Sequence, residues 1–134
     1  MIVPDASLLT MALTDDGPGG SAAQGALLAD SHWIAPDHLS VEVTSAIRGR
    51  WLGGRISGER ADGALQTLLA LTVTYVAFAE LGQRVWELRH NVTPYDAAYL
   101  AVAEMNGCRL VTIDRKLRDC AGGHCTVEVI AGSC

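Results

Sequence analysis

The sequence predicts a single α/β domain over residues 1–134, with a mostly parallel sheet of about five short strands between two layers of helices. Short apolar runs rich in β-branched residues alternate with longer helical patterns along the chain, as in proteins with parallel sheets. Hydrophobic residues make up 49% of the chain, enough for one sizeable core. No linker, repeat or low-complexity tract divides it.

The first half of the chain is predicted to contain two strands and four helices. In order, these are a strand at 1–3, helices at 6–13 and 21–29, a strand at 32–35, a helix at 39–52, and a helix that Ser57 can cap and that continues through 60–71. Pro4 and Pro36 close the two strands, and a cluster of Asp, Gly and Pro at 15–20 interrupts the first two helices. The helix over 39–52 has an apolar residue at every fourth position, Leu39, Val43, Ile47 and Trp51.

The second half is predicted to contain three strands and three helices. In order, these are a strand at 73–78, helices at 83–89 and 94–105, a strand at 109–113, a helix at 115–120 and a strand at 126–130. The strand at 73–78 is predicted from its β-branched and aromatic residues. Thr93 and Pro94 favour a helix start, and Asn106-Gly107 a helix end.

Charge and cysteine content exclude several classes of protein. The net charge of −5 argues against a purely electrostatic clamp on nucleic acid, although it is compatible with an enzyme that recruits cations. The sequence shows neither a signal peptide nor a membrane span, so we expect a cytoplasmic protein without membrane contact. The four cysteines, at 108, 120, 125 and 134, fit no common zinc-site spacing, and we expect reduced thiols.

Two acidic residues directly follow predicted strands. Asp5 comes after the first strand and Asp114 after the fourth. Ligands of open α/β sheets bind beyond the carboxyl ends of the strands, so both side chains are expected at one rim.

Two further acids lie in the first turns of helices that begin at the same rim. Asp96 opens a helix of about 12 residues, roughly 18 Å long, which leads into a strand of about 5 residues, roughly 17 Å long. These lengths nearly cancel, so Asp96 is brought back to Asp114, and Glu42 occupies the matching position after the second strand. Four carboxylates at one rim repel one another unless a cation is bound, and Mg²⁺ prefers such oxygen ligands.

These residues occur in stretches that resemble the PIN-domain family, and within it the VapC toxins of bacterial toxin–antitoxin pairs. The stretches are Val3-Pro4-Asp5-Ala6-Ser7, Leu39-Ser40-Val41-Glu42-Val43, Thr93-Pro94-Tyr95-Asp96-Ala97-Ala98-Tyr99-Leu100-Ala101-Val102-Ala103-Glu104 and Leu110-Val111-Thr112-Ile113-Asp114-Arg115-Lys116-Leu117. The resemblance covers nearly the whole chain, and the stretch around Asp96 is its most specific part. Pro4 departs from it, since an ordinary strand residue is common there.

The resemblance implies an activity, a cofactor and partners. Asp5, Glu42, Asp96 and Asp114 match the acidic metal-site positions, and Ser7 and Thr112 match the hydroxyl positions beside them. The implied activity is endoribonuclease cleavage of tRNA or rRNA that depends on Mg²⁺, with Mn²⁺ as a substitute, and that inhibits translation. The implied partners are the RNA substrate, a second copy of the chain in a homodimer, and a VapB-like antitoxin.

Basic residues near the acids are candidate contacts for RNA phosphates. They are Arg48, Arg50, Arg115 and Lys116. Each of them also fits an ordinary solvated basic face.

Other interpretations of the acids remain open. Each acid alone also fits a helix cap or a favourable charge near a helix N-terminus. A catalytically silent PIN-like binding module is an alternative function. A phosphoacceptor receiver domain is a weaker one, because Phe78 rather than an acid ends the predicted third strand and the only lysine, Lys116, follows the fourth.

Overall fold

A computed structural model describes residues 1–131, which form five strands and seven helices. In chain order these are β1 (Ile2–Pro4), α1 (Ala6–Thr14), α2 (Pro18–Leu28), β2 (Ile34–Pro36), α3 (Leu39–Leu52), α4 (Gly58–Ala70), β3 (Thr74–Val76), α5 (Phe78–Glu87), α6 (Pro94–Asn106), β4 (Arg109–Thr112), α7 (Arg115–Cys120) and β5 (Val127–Val129). The predicted α/β alternation is confirmed. None of the helices in this range reaches the length and apolarity that a membrane span needs.

The strands are parallel and follow the order β3-β2-β1-β4-β5. The pairs β2-β3 and β1-β4-β5 are joined by a parallel bridge between Ile2 and Trp33, and Ile2 N donates to His32 O at 3.0 Å. β1 is therefore the central strand. Because Pro4 is paired with Val111, β1 and β4 end side by side, and the chain leaves both at the same rim.

Helices cover both faces of the sheet. α5 and α6 form one layer, in which α6 packs on β1, β2 and β4. The helices α1 to α4 form the other layer, in which α1 contacts β4. The residues of α6 from Ala97 to Ala103 are all buried, and four of the seven are alanines, which lets this helix approach its neighbours closely.

The apolar stripe of α3 is only partly buried. Leu39, Val43 and Ile47 lie in the core, but Trp51, in the last turn, is 48% exposed. The four-residue repeat therefore predicted the helix correctly. It predicted burial correctly at three of the four positions.

The prediction of a strand over 73–78 is wrong at its end. β3 covers only Thr74–Val76, and Phe78 is the first residue of α5, 54% exposed. Leu81 and Val85 of α5 are buried one turn apart, so this segment places apolar residues in the core as a helix. Burial of that face outweighs the β-propensity of the aromatic ring at position 78.

The helix α2 begins three residues earlier than predicted, inside the cluster expected to be a loop. Pro18 occupies a favoured first-turn position, where a missing N–H is harmless. Gly20 N donates to Asp15 Oδ2 at 2.8 Å, and a Cβ on Gly20 would come within 1.8 Å of Asp15 O. The glycine thus permits a close turn between α1 and α2.

Candidate active site

The four predicted acids lie at the rim formed by the carboxyl ends of the strands. Asp5 follows β1, and its N–H continues the ladder by donating to Val111 O at 3.1 Å. Asp114 follows β4. Glu42 lies in the first turn of α3 and Asp96 in the first turn of α6, where the sequence placed them.

Asp5 is the buried anchor of this rim. Its residue exposure is only 5%. Oδ1 accepts hydrogen bonds from Ser7 Oγ at 2.7 Å and from Leu8 N at 2.9 Å, and Oδ2 accepts one from Thr112 Oγ1. Burial nevertheless raises the pKa of the Asp5 carboxyl above its ordinary value, and the nearby charge of Asp96 raises it further. The site therefore holds a carboxylate whose negative charge is incompletely compensated.

The hydroxyl of Thr112 joins the carboxylate of Asp5 to the backbone N–H of Asp114. Thr112 is fully buried and donates to Asp5, while its oxygen accepts from Asp114 N at 2.9 Å. Ser7 Oγ lies 3.2 Å from Thr112 Oγ1. Hydrogen bonds of this kind commonly fix the orientation of carboxylates that bind metal. Ser7 and Thr112 thus both lie against the carboxylate of Asp5.

Glu42 is held by a buried tyrosine. Tyr99, 1% exposed, donates its phenol proton to Glu42 Oε1 at 2.7 Å. Burial and the bond to this carboxylate raise the pKa of Tyr99 far above its usual value, so it remains a donor. His38 Nε2 lies 3.1 Å from the same oxygen, without the direction of a hydrogen bond. The His38 ring packs edge-on against the Tyr99 ring, with the two ring centroids 5.3 Å apart.

Negative charges among the four carboxylates raise the pKa values of two of them, Asp5 and Asp96. The pKa of Asp96 is raised first by burial and then by the negative charges of Asp114 and Glu42. Together with the effect of Asp96 on Asp5, this connects all four acids. Four like charges at one rim destabilise each other, which a bound cation would relieve.

The donor set fits a hydrated divalent cation rather than a fully enclosed one. Within residues 1–131, no three His, Cys, Asp or Glu side chains converge closely enough to form a coordination cluster. Mg²⁺ keeps several waters and takes only one or two protein carboxylates directly. Asp5 uses three of its roughly four acceptor positions, which leaves one for a cation.

A search against protein-family models identifies residues 2–123 as a PIN domain. The chain belongs to the PIN domain family. This confirms the family that the sequence motifs indicated.

Curated relatives of this PIN domain match it over nearly its whole length. It is 37% identical over 130 residues to the VapC ribonuclease Mb0985 of Mycobacterium bovis, covering 97% of this chain and 98% of that protein. It is 36% identical over 129 residues to ribonuclease VapC1 of Mycobacterium tuberculosis, covering 96% of each.

Solved structures support the same fold. The TM-score is 0.72, at 20% identity, with Mycobacterium tuberculosis VapC20, a sarcin–ricin loop cleaving toxin, covering 98% of this chain and 100% of that one. The TM-score with PAE2754 from Pyrobaculum aerophilum is 0.65, at 23% identity, covering 94% of this chain and 87% of that one. The predicted three-layer PIN-like architecture is therefore confirmed.

The basic residues predicted to contact RNA lie in different places on the PIN domain. Arg50 lines a pocket together with Glu42, and its Nε is buried without a hydrogen-bond partner. Arg115 and Lys116 are exposed in the first turn of α7, directly after Asp114. Arg48 lines a shallow depression with Ser40, Val41, Thr44 and Ser45, which is separate from the Glu42 pocket.

Tyr99 and His38, which lie against Glu42, were not among the predicted site residues. Tyr99 is three residues after Asp96, so both side chains project from the same side of α6. His38 is four residues before Glu42, in the position that precedes α3. A tyrosine within a strongly apolar helix needs a partner for its hydroxyl, and this signal was available in the sequence.

The structure describes three of the four cysteines. Cys108, Cys120 and Cys125 are free thiols of intermediate burial. Cys134 lies outside the described residues. Burial raises the pKa of both Cys108 and Cys125, which disfavours the reactive thiolate.

Proposed function

We propose that this PIN domain is a Mg²⁺-dependent endoribonuclease and the toxin of a type II toxin–antitoxin pair, which cleaves tRNA or rRNA and thereby inhibits translation. The observation that carries the proposal is the position of four carboxylates at one rim, with Asp5 and Asp96 destabilised as anions. The VapC relatives, named ribonucleases, support the same activity.

Asp5, Glu42, Asp96 and Asp114 would hold the cation. When bound, Mg²⁺ or Mn²⁺ supplies positive charge that favours phosphodiester hydrolysis by polarising phosphate and water. Thr112 and Ser7 keep Asp5 oriented, and Tyr99 keeps one Glu42 oxygen in place. Positioning of this kind is a main source of catalysis in phosphoryl transfer.

Arg115 and Lys116 extend the site toward the substrate. They follow Asp114 in the first turn of α7, where their exposed cationic side chains can bind RNA phosphates beside the acids. Because the whole chain carries a charge of −5, such local basic groups are needed to bring an anionic substrate to an acidic rim.

The partners follow from the same proposal. We expect a homodimer in the cytoplasm that is silenced by a VapB-like antitoxin. Mass measurement of the purified protein at several concentrations tests the dimer, and co-purification with the product of the neighbouring gene tests the antitoxin.

A catalytically silent PIN-like binding module is the second candidate. A silent module would account for the lack of a three-ligand cluster within residues 1–131 without any bound cation, whereas the nuclease accounts for it by a hydrated one. A silent module would show no saturable Mg²⁺ binding that depends on Asp5. No observation favours a receiver domain, since Ala77 and Phe78, rather than an acid, follow β3.

The decisive experiment incubates structured RNA with the purified protein in Mg²⁺, in Mn²⁺ and in EDTA. We expect cleavage with either metal, none in EDTA, and a loss of at least about 100-fold in Asp5→Asn and Asp96→Asn. Asp62→Asn, which alters an exposed acid on α4, is the matched control. Equal cleavage by the wild type and both site variants, or cleavage unaffected by EDTA, contradicts the proposal.

A further inference from the structure

A pocket of about 370 Å³ opens beside the acidic rim, between α1 and α3. Ser7 and Glu42 form its end nearest the acids. From there it continues along α3 to Arg50, eight residues and about 12 Å from Glu42 along the helix. A ligand in this pocket would therefore lie next to a phosphate bound at the acids.

Two polar atoms of the pocket lining lack partners. Thr10, 7% exposed, has a buried Oγ1 without a hydrogen bond, and the Nε of Arg50 is buried without one. Buried donors in proteins nearly always have partners, because an unmade bond costs free energy. Thr10 and Arg50 thus line the pocket with unused hydrogen-bonding capacity, which a ligand would satisfy after a small rotation of either side chain.

The remaining walls are apolar. Met11 lies on α1, Ala46 on α3, and Ile113 follows β4. Apolar walls would not stabilise the binding of a phosphate alone. A nucleobase has two apolar faces and a polar edge, and proteins bind unstacked RNA bases in pockets that combine these features.

We propose that this pocket receives one unstacked base of the RNA, adjacent to the phosphodiester at the acidic rim, with Arg50 and Thr10 on its polar edge. This inference rests on the proposed ribonuclease function for the identity of the ligand. Arg50 only donates hydrogen bonds, and guanine presents two acceptors, N7 and O6, on one edge. Guanine is therefore the preferred base.

Met11 provides a direct probe of the pocket. The chain has three methionines; Met1 and Met105 are 42% and 55% exposed and lie outside this pocket. With methyl-labelled methionine, NMR titrations in Mg²⁺ would use the four ribonucleoside monophosphates and ribose 5-phosphate, which contain no phosphodiester and so remain intact. We expect guanosine monophosphate to shift the Met11 methyl signal by its ring current and to leave the other two unchanged.

Variants connect the signal to the polar edge. Arg50→Gln is expected to weaken guanosine monophosphate binding about tenfold, within the range of specific arginine–guanine contacts. Arg109→Gln removes the same charge at the opposite end of β4, where Arg109 pairs with Glu128, and should bind as the wild type does. Thermal melts of both variants report their folding separately.

Several outcomes would overturn the proposal. They are an unmoved Met11 signal, an equal shift with ribose 5-phosphate, equal affinity for all four bases, or an unchanged affinity in folded Arg50→Gln. Because these titrations need no cleavage, they are independent of the nuclease assay. A protein that binds guanosine here and cuts no RNA would refute the nuclease and retain the pocket.

Discussion

Replacement of Thr112 by valine removes the hydroxyl that joins Asp5 to Asp114 while keeping the side-chain shape. The hydroxyl donates to the buried carboxylate and accepts from Asp114 N at 2.9 Å. A hydrogen bond to a charged group contributes about 1.5–3 kcal/mol and a neutral one about 1 kcal/mol. We expect a loss of about 3 kcal/mol of unfolding free energy at neutral pH, which lowers the Tm by roughly 10 °C in a domain of this size.

The loss should depend on pH. The bond from Thr112 stabilises ionised Asp5, whose pKa burial raises above the ordinary value of 3.8. Without this bond the pKa of Asp5 rises further, so the folded variant binds its proton more tightly. Stability of the variant relative to the wild type should therefore recover as the pH falls through the raised pKa, to a deficit of about 1–2 kcal/mol.

Urea unfolding of metal-free protein between about pH 4 and about pH 8 measures this effect. Thr10→Val is the matched control, because Thr10 is also a buried threonine but its hydroxyl has no partner. Its replacement should be neutral or stabilising by up to about 1 kcal/mol. Equal costs for the two substitutions, or a Thr112→Val cost independent of pH, would refute the assignment of this hydroxyl to Asp5.

Three further substitutions test other parts of the structure. Tyr99→Phe removes the donor to partly exposed Glu42, so we expect a loss of about 1 kcal/mol of unfolding free energy and about a tenfold fall in kcat. Unfolding curves and cleavage rates measure these changes, and an unchanged kcat would argue against a role of the Tyr99 hydroxyl in positioning Glu42. The pKa of Asp96 is raised, so the metal-free wild type should gain stability as the pH falls from that raised value toward 3.8. Asp96→Asn removes this titrating group and should reduce the pH dependence of the unfolding free energy. A variant with the same pH slope as the wild type would contradict this. Gly107→Ala forces alanine to φ +59° at the end of α6, which should cost about 1 kcal/mol in thermal melts with unchanged cleavage; a neutral result would show that the turn relaxes.

The alternation of elements and the placement of the acids could be predicted from sequence because both depend on periodicity and length. Pro4 shows that the hydrogen-bond ladder of β1 tolerates a residue without a backbone N–H. Ile2 N points to β2 and Asp5 N to β4, so alternation places the proline nitrogen on the β2 side, beyond the bridge at Trp33. The proline therefore leaves the pairing with β4 intact.

Tertiary contacts determined what the sequence did not reveal. Phe78 has high β-propensity, but burial of Leu81 and Val85 makes its segment helical. The bond from Tyr99 to Glu42 spans 57 positions, and no local pattern predicts such a pairing. The burial of Arg50 Nε beside a pocket lined by α1 and α3 likewise depends on tertiary structure.

The central position of β1 has a consequence for synthesis of the protein. Asp5 is translated early, but Thr112, which holds its carboxylate, follows 107 positions later. Long-range pairings of this kind form late, because the intervening chain must first be closed into a loop. A nascent or prematurely terminated chain would therefore lack the assembled acidic rim, so the proposed metal site can form only after β4 has been synthesised.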